Sequence, residues 1–358
     1  MKSRAIPSRL GLITSSFGRT FDFLMGLYML ESIDDKAGHM LEKRMRRTIW
    51  IKPNREQFPY ITSLLSEKLR IVNSSYWLFV YRFFSKLRLR FFLSSTSDID
   101  YIPYCYTDIE QTQLINAVES SYQNTMLKSC DPMLLNLLSS DREIALVYVR
   151  NSFWDLEQSG PLSDVLKSEA HRNIDSKFLT QLIAALESKG LFVVRIGRDD
   201  LSIAESDSFL NYASKKYAND LLDLMLFRRA FCLFSSAGGA DTPRVLFKTP
   251  TMFLNAKEPF SDILTSQLNF PTAVLPSSFL KKDGDLFSKD DIMTLGLNTR
   301  HGKTKDFTKI CDFRENNSET TVNAAIDFID YLRGISNNFV EFFWGGEKVS
   351  IRWENLQR

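Results

Sequence analysis

The sequence predicts an α/β protein of two domains, on the basis of its length and of its alternating apolar and amphipathic runs. The chain has 358 residues, and a single hydrophobic core usually stops growing at about 250–300 residues. After residue 140, short apolar runs alternate with stretches of helical period. Helical crossovers of about 12–20 residues join these predicted strands, and such connections are typical of a parallel sheet.

The composition is that of an ordinary globular protein and favours neither nucleic acid nor a metal as a partner. The chain is 44% hydrophobic and 25% charged, and its net charge of +2 is too small to indicate binding to nucleic acid. The four cysteines form no CxxC pair and the three histidines lack metal-ligand spacing, so we predict no metal site and no cofactor. Free thiols fit a reducing cytoplasm. We expect no signal peptide and no spanning helix.

The first domain is predicted to cover residues 1–139 and to begin like a nucleotide-binding α/β domain. A buried strand at 10–16 ends in small polar residues before a predicted helix at 20–31. Further strands are predicted at 48–52 and 70–72, with a helix at 56–68 between them. The turn after the first strand has one glycine, Gly18, so the dinucleotide fingerprint is absent.

An aromatic and basic segment at 76–93 has two interpretations. Helical spacing would bring Arg82, Lys86 and Arg90 to one side, as in helices that lie at the surface of an anionic membrane. The alternative is a core helix whose basic ends reach solvent. The segment is too short and too charged to span a bilayer. The first interpretation predicts a cytoplasmic protein that binds peripherally to the inner face of the cell membrane.

The second domain is predicted to cover residues 140–358, because the polar run at 139–142 resembles a linker. Its strands are predicted at 144–149, 191–196, 231–234 and 251–254, and its helices at 178–189, 207–216, 218–229 and 241–247. A late helix is predicted at 318–333, and packing of this helix back on the first domain is one arrangement that we consider. An aromatic hairpin turned by Gly345 and Gly346 is predicted at 339–353.

The turn at 235–239, Ser-Ser-Ala-Gly-Gly, is the most distinctive feature of the second domain. Small residues between a strand and a helix allow backbone N–H groups to approach an anion closely, and the helix dipole favours negative charge there. The turn therefore indicates a phosphate or diphosphate site. The alternative is an ordinary strand-to-helix turn whose glycines serve packing.

Three arginines are candidate cations for the same anion. Arg150 and Arg195 lie at predicted strand ends and Arg172 lies in a loop, all expected at one rim of the parallel sheet. One guanidinium group can bind two phosphate oxygens in a bidentate manner. Each of these arginines could instead be a structural ion-pair partner. The sequence has no Walker motif and no Gly-x-Ser-x-Gly elbow, which disfavours a P-loop nucleotidase and an α/β-hydrolase.

Six segments together resemble a family of bacterial glycosyltransferases from surface-polysaccharide gene clusters. The segments are YVR at 148–150, HRNID at 171–175, GLFVVRIG at 190–197, DLLDL at 220–224, FSSAGG at 234–239 and PTMFLN at 250–255. The resemblance covers roughly 140–335 and is much weaker over 1–139. The second domain is also similar to the donor half of heptosyltransferase-type and fucosyltransferase-type enzymes. Where the family usually has Tyr-Arg-Asn, this chain has His171-Arg172-Asn173. Where the family often has a single glycine in the turn, this chain has an alanine followed by two glycines, at 237–239.

The resemblance implies a GT-B enzyme, in which two Rossmann-like domains face each other across a cleft. It implies metal-independent transfer of a sugar from a nucleotide-sugar donor to a glycan or lipid-linked acceptor. The implied donor-binding residues are Arg150, Arg172, Arg195, Gly197, Ser235, Ser236, Gly238, Gly239 and Asn255. Asp22 and Glu31, which follow the first predicted strand, are candidates for the base that deprotonates the acceptor, and Asp22 is the one we name. Both could instead be solvated helix residues. The alternative function is a non-catalytic binding or scaffold protein of sugar-nucleotide fold.

Overall fold

A computed structural model of the chain shows mainly parallel α/β sheets, which confirms the predicted fold class. The structure describes residues 9–12, 48–51, 59–72, 81, 93–95, 115–120, 132–149, 178–197, 201–216, 218–236, 242–256, 270–288, 311–335, 340–344 and 347–351. Contacts within the chain define two compact units. One contains Met1–Ser129 with Asn219–Met225, and the other contains Cys130–Ala218 with Leu226–Arg358. The boundary at residue 140 stays a prediction.

The first unit contains a four-stranded parallel sheet in the order β3-β2-β1-β4. Its strands are β1 (Arg9–Leu12), β2 (Thr48–Ile51), β3 (Arg70–Val72) and β4 (Leu93–Ser95). Helix α1 (Pro59–Lys68) connects β2 to β3, as predicted. It begins at a proline, whose fixed φ suits a first helical position.

Helix α1 has a buried apolar face. Ile61, Leu64, Leu65 and Leu69, on and just after this helix, are all buried. In a short helical segment at 115–120, the Ala117 carbonyl accepts a hydrogen bond from the Tyr60 hydroxyl at 3.0 Å. Most of the segment 76–93 lies outside the described residues. None of the described helices is long and apolar enough to cross a lipid bilayer.

The second unit contains a six-stranded parallel sheet in the order β10-β9-β8-β5-β6-β7. The strands are β5 (Ile144–Tyr148), β6 (Phe192–Arg195), β7 (Phe209–Leu210), β8 (Ala230–Ser235), β9 (Thr251–Ala256) and β10 (Thr272–Pro276). The helices before and between them are α2 (Pro132–Ser139), α3 (Leu179–Ser188), α4 (Asp220–Arg229) and α5 (Arg244–Phe247). The first six residues of α4 belong to the first unit and its last four to the second. All four strands predicted in this region are present, and their parallel pairing is confirmed.

The helix predicted at 207–216 is wrong. Phe209 and Leu210 form the edge strand β7, which pairs in parallel with Val193 and Val194, and a 3-10 turn follows at Tyr212–Ser214. The reason is tertiary, because both β7 side chains are buried at the edge of the sheet. A helical period cannot be distinguished from a two-residue strand in such a short apolar run.

The late helix α6 (Ser318–Leu332) packs on the second sheet and closes its core. It contacts α3, β9 and β10, and the Phe328 ring meets the Phe234 ring edge-on with centroids 6.0 Å apart. Asn317 caps the helix by accepting a hydrogen bond from the Thr320 N–H at 2.7 Å. Packing of this helix on the first domain stays a prediction.

Both ends of α6 are tied to the second sheet. At its start, Asn316 donates to Asn255 at the end of β9. At its end, Asp330 pairs with Lys189 at 2.8 Å, and Arg333 binds the Lys189 carbonyl and the Glu143 carboxylate. Helix α6 therefore runs antiparallel to the strands, with its N-terminus at the carboxyl edge of the sheet.

Two antiparallel pairs complete the described structure. Strand β11 (Ser278–Lys281) pairs with β12 (Cys311–Arg314). Strand β13 (Val340–Trp344) pairs with β14 (Glu347–Ile351). Trp344 is the register partner of Glu347, so two residues connect the strands, as predicted for the glycine turn.

Candidate functional site

The carboxyl ends of β5, β6, β8 and β9 meet at one edge of the second sheet. Tyr148 is the register partner of Ser235, and Ser235 is in turn the partner of Phe253, two residues before Asn255. Of the predicted site residues, the structure describes Arg195, Gly197, Ser235, Ser236 and Asn255. The others, Asp22, Arg150, Arg172, Gly238 and Gly239, lie outside the described residues.

Ser235 and Ser236 begin the small-residue turn and are both buried. The Ser236 N–H donates to the Tyr148 carbonyl at 3.0 Å, which extends the pairing of β8 with β5 to the edge of the sheet. The chain therefore leaves the sheet where the sequence predicted. The helix that follows is shorter than predicted, since α5 has four residues. Its dipole contributes less to an anion site than a long helix would.

Gly197 lies two residues after the end of β6, against the Tyr148 ring. Its φ of +114° lies in a region that side-chain-bearing residues rarely adopt. A Cβ built on this glycine would lie 3.3 Å from both Cδ2 and Cε2 of Tyr148. The backbone conformation and the close ring together require glycine here. We did not predict Tyr148 as a site residue. Its place at the end of a predicted strand was visible in the sequence, but its contact with Gly197, 49 residues later, comes from the fold.

Arg195 points into the fold of the second unit. Its side chain is 1% exposed, and its Nη1 donates to Asn211 Oδ1 at 2.9 Å and to the Leu201 carbonyl at 3.2 Å. Asn211 also donates to the same carbonyl from its own Nδ2, at 3.0 Å. These contacts favour the structural alternative for Arg195, and contact with a donor stays a prediction.

Asn255 ends β9 in a left-handed conformation, with φ of +49°. It is 2% exposed, and its Oδ1 accepts two hydrogen bonds from Asn316, one from the backbone N–H at 2.9 Å and one from Nδ2 at 2.8 Å. Its carbonyl accepts a third from the Ser277 hydroxyl at 2.9 Å. Asn255 thus joins the end of β9 to the segment that starts α6.

Arg244 is a buried cation that we did not single out from the sequence. Its guanidinium carbon lies 4.8 Å from the Phe253 ring centroid and 5.8 Å from that of Phe270. Such stacking stabilises a cation in an apolar setting. Because Phe253 is the register partner of Ser235, this positive charge lies beside the strand that neighbours the turn. Its position shortly after the small-residue turn could have identified Arg244 as a candidate from the sequence.

Cys232 is buried in β8 opposite Ala145, away from the carboxyl edge of the sheet. Burial raises the pKa of its thiol well above the ordinary range, and the nearby Glu143 carboxylate adds to the increase while Arg333 opposes it. A raised pKa favours the neutral thiol, which is a much weaker nucleophile than the thiolate. Among the described residues, no group of three His, Cys, Asp or Glu side chains could hold a metal ion.

The solved structures to which this chain is similar include the following two. One is from Listeria monocytogenes and is assigned as a UDP-N-acetylglucosamine 2-epimerase; it matches at 10% identity and a TM-score of 0.36, over 94% of this chain and 99% of the other. The second is a Methanocaldococcus jannaschii UDP-GlcNAc 2-epimerase in complex with UDP-GlcNAc and UDP, at 10% identity and a TM-score of 0.36, over 90% of this chain and 99% of the other. No family model and no curated protein matches the chain.

Proposed function

We propose that this chain is a metal-independent glycosyltransferase that binds a nucleotide-sugar donor at the carboxyl edge of its second sheet. The acceptor in this proposal is a glycan or a lipid-linked saccharide of surface polysaccharide synthesis. The observation that carries the proposal is the arrangement of four strand ends, with Tyr148, Gly197 and Asn255 around the turn that begins at Ser235. Ligands of open parallel sheets bind beyond the carboxyl ends of the strands.

The chemistry follows from the charge that develops as the donor breaks. The bond between the anomeric carbon and the diphosphate oxygen breaks, and its electron pair leaves with the nucleoside diphosphate. Backbone N–H groups of the turn at 235–239, with Arg150 and Arg172, would stabilise that negative charge. The acceptor oxygen forms the new bond, and its proton passes to a base, for which Asp22 is our candidate.

Calorimetry on the full chain with the common nucleoside diphosphates tests the donor site. We expect one of them to bind with a dissociation constant in the micromolar range. The variant Gly238→Val should weaken this binding, because a side chain would keep the phosphate away from the backbone. Its melting temperature serves as the control for folding. If no nucleoside diphosphate binds, the proposal is abandoned.

Transfer is tested separately from binding. Each nucleotide sugar is incubated with the protein, and release of the nucleoside diphosphate is followed with and without added polysaccharide or lipid-linked saccharide. The glycosyltransferase proposal predicts that the acceptor accelerates release and gains mass equal to the sugar. Binding without release from any donor would instead identify a non-catalytic binding protein.

We also propose that the segment 76–93 brings the enzyme to an anionic membrane surface, where a lipid-linked acceptor would lie. Its aromatic and basic residues support this, because Lys and Arg are attracted to anionic lipid. The protein should sediment with vesicles containing phosphatidylserine, and replacing Arg82, Lys86 and Arg88 with Glu should abolish sedimentation. Vesicles of phosphatidylcholine alone are the matched control. Absence of sedimentation with the anionic vesicles would refute the membrane contact.

A further inference from the structure

The amide of Asn255 has a defined orientation. Its oxygen lies between two donors of Asn316, the backbone N–H and the side-chain Nδ2, at 2.9 and 2.8 Å. A rotated amide would set its own N–H groups against those donors, so the hydrogen bonds fix which atom is oxygen. The Ser277 hydroxyl holds the Asn255 carbonyl from the other side of the residue, at 2.9 Å.

The nitrogen of the same amide, Asn255 Nδ2, is buried and has no hydrogen-bond partner among the described residues. A buried donor that stays unpaired destabilises a fold, and a left-handed conformation at a residue other than glycine adds strain. Both costs fall on one residue at the end of a strand, and such strain is concentrated at binding sites.

The position of this amide indicates the atom that it meets. Strand β9 lies beside β8, about 4.8 Å away as neighbouring strands do, and Asn255 is two residues beyond the partner of Ser235. A phosphate bound at the end of β8, beyond Ser235 and Ser236, would therefore lie within reach of Nδ2. Nδ2 only donates, so its partner must be an acceptor, and phosphate oxygens accept without donating.

The charges around Asn255 favour an anion over a neutral acceptor. Helix α6, of 15 residues, begins two residues after Asn316 and contributes the positive end of its dipole. The buried guanidinium of Arg244 stacks on Phe253, the residue two before Asn255. Two carboxylates oppose this field: Glu319, which is exposed to solvent and therefore screened, and Glu315, which precedes Asn316 and is partly buried.

We propose that Asn255 Nδ2 donates a hydrogen bond to a phosphate oxygen of the bound nucleoside diphosphate while Asn255 Oδ1 stays bound to Asn316. This inference rests on the proposed function. The side-chain amide of Asn255 then connects the bound nucleoside diphosphate to the start of α6. When no nucleotide is bound, a water molecule can accept the hydrogen bond from Nδ2, and the phosphate displaces this water when it binds.

The variant Asn255→Asp tests this assignment, because it changes one half of the amide and retains the other. The carboxylate still accepts both hydrogen bonds from Asn316, but it loses the donor and places a negative charge beside the phosphate. We expect its dissociation constants for inorganic pyrophosphate and for the best-binding nucleoside diphosphate to rise at least about tenfold. The matched control Asn316→Ala removes one bond to Oδ1 and should lower the melting temperature with a smaller change in affinity.

A second variant keeps the test decisive if the aspartate variant does not fold. Asn255→Gly fits the left-handed backbone, removes the donor without adding charge, and should weaken both ligands by about three- to tenfold. If every folded Asn255 variant binds as the wild type does, the assignment is overturned and the proposed function stands. If the wild type binds neither pyrophosphate nor any nucleoside diphosphate, both are overturned.

Discussion

The guanidinium Nη1 of Arg195 lies 2.9 Å from the amide oxygen of Asn211, in the interior of the second unit. Arg195 ends strand β6, so its backbone belongs to the edge where we expect the nucleotide sugar to bind. Its side chain nevertheless turns towards the segment 201–211, where the Leu201 carbonyl is a second hydrogen-bond acceptor. A residue placed at a binding edge by its strand can thus serve the fold with its side chain.

Replacing Arg195 with alanine should destabilise the protein by about 2–4 kcal/mol, because the buried Asn211 amide oxygen and the partly buried Leu201 carbonyl lose a charged donor. The measurement is the free energy of unfolding from urea titration. Lys215→Ala is the control from the neighbouring segment, since it removes only the partly exposed ion pair with Glu205 and should cost less than about 1 kcal/mol. Unchanged stability with lost nucleotide binding would instead assign Arg195 to the donor, as the sequence suggested.

Gly197→Ala should destabilise the protein more than Gly284→Ala. Both glycines have positive φ, +114° and +96°, so both variants carry backbone strain of about 1–3 kcal/mol. Only Gly197 also has the Tyr148 ring 3.3 Å from the added Cβ, whereas a Cβ at Gly284 meets nothing within 4 Å. Comparing the two unfolding free energies isolates the ring contact. Equal losses would mean that Tyr148 moves aside without cost.

Asp220→Ala should destabilise the first unit. The Asp220 Oδ2 accepts a hydrogen bond at 2.7 Å from the Ile61 N–H, which lies in the first turn of α1 and has no partner within that helix. Losing this acceptor should cost about 1–3 kcal/mol in a buried site. Asp220→Asn retains an acceptor and should cost less. Hydrogen exchange at Ile61 provides the local readout, and exchange as slow as in the wild type would contradict this role.

Asp327→Asn should reduce the loss of stability as pH rises. Asp327 lies on the exposed side of α6, and partial desolvation raises the pKa of its carboxyl above the ordinary 3.8, as does the Asp330 carboxylate, while Lys189 opposes both. The folded state therefore holds a proton that the unfolded state releases, and this contribution to stability is lost as pH rises from about 4 through the folded pKa. Solvent screens these interactions, so the effect on stability is small. Unfolding midpoints between pH 4 and 7 test this. A wild-type slope in the variant would exclude Asp327 as the cause.

Cys232 should resist alkylation until the protein unfolds. Its thiol is buried in β8 and its raised pKa keeps it protonated, while alkylating reagents attack the thiolate. The modified fraction of the peptide containing Cys232, measured by mass spectrometry across a urea titration, should follow the unfolding curve. Rapid labelling of this peptide in the native protein would show that β8 opens locally.

The strands and most helices of the second unit were predictable from hydrophobic patterning alone. Strand β5, for example, is a continuous apolar run that is buried on both faces of a parallel sheet, as such runs usually are. Phe209 and Leu210 were not predictable, because a two-residue strand has too little pattern to compete with a helical period. The location of the carboxyl edge could be predicted from the parallel order of the strands. The side chains that meet at this edge could not be predicted.

The α/β class, the parallel second sheet and the place where the small-residue turn leaves it all follow from the amino-acid pattern. Periodicity reports which faces of a helix or strand are buried, and it is a local property of the chain. The roles of individual polar groups depend instead on contacts made by the folded chain. Arg195 binds Asn211, and Asn255 binds Asn316, which is 61 residues away in the chain. A polar side chain takes whichever partner the fold brings within about 3 Å, and no local pattern records partners from distant segments.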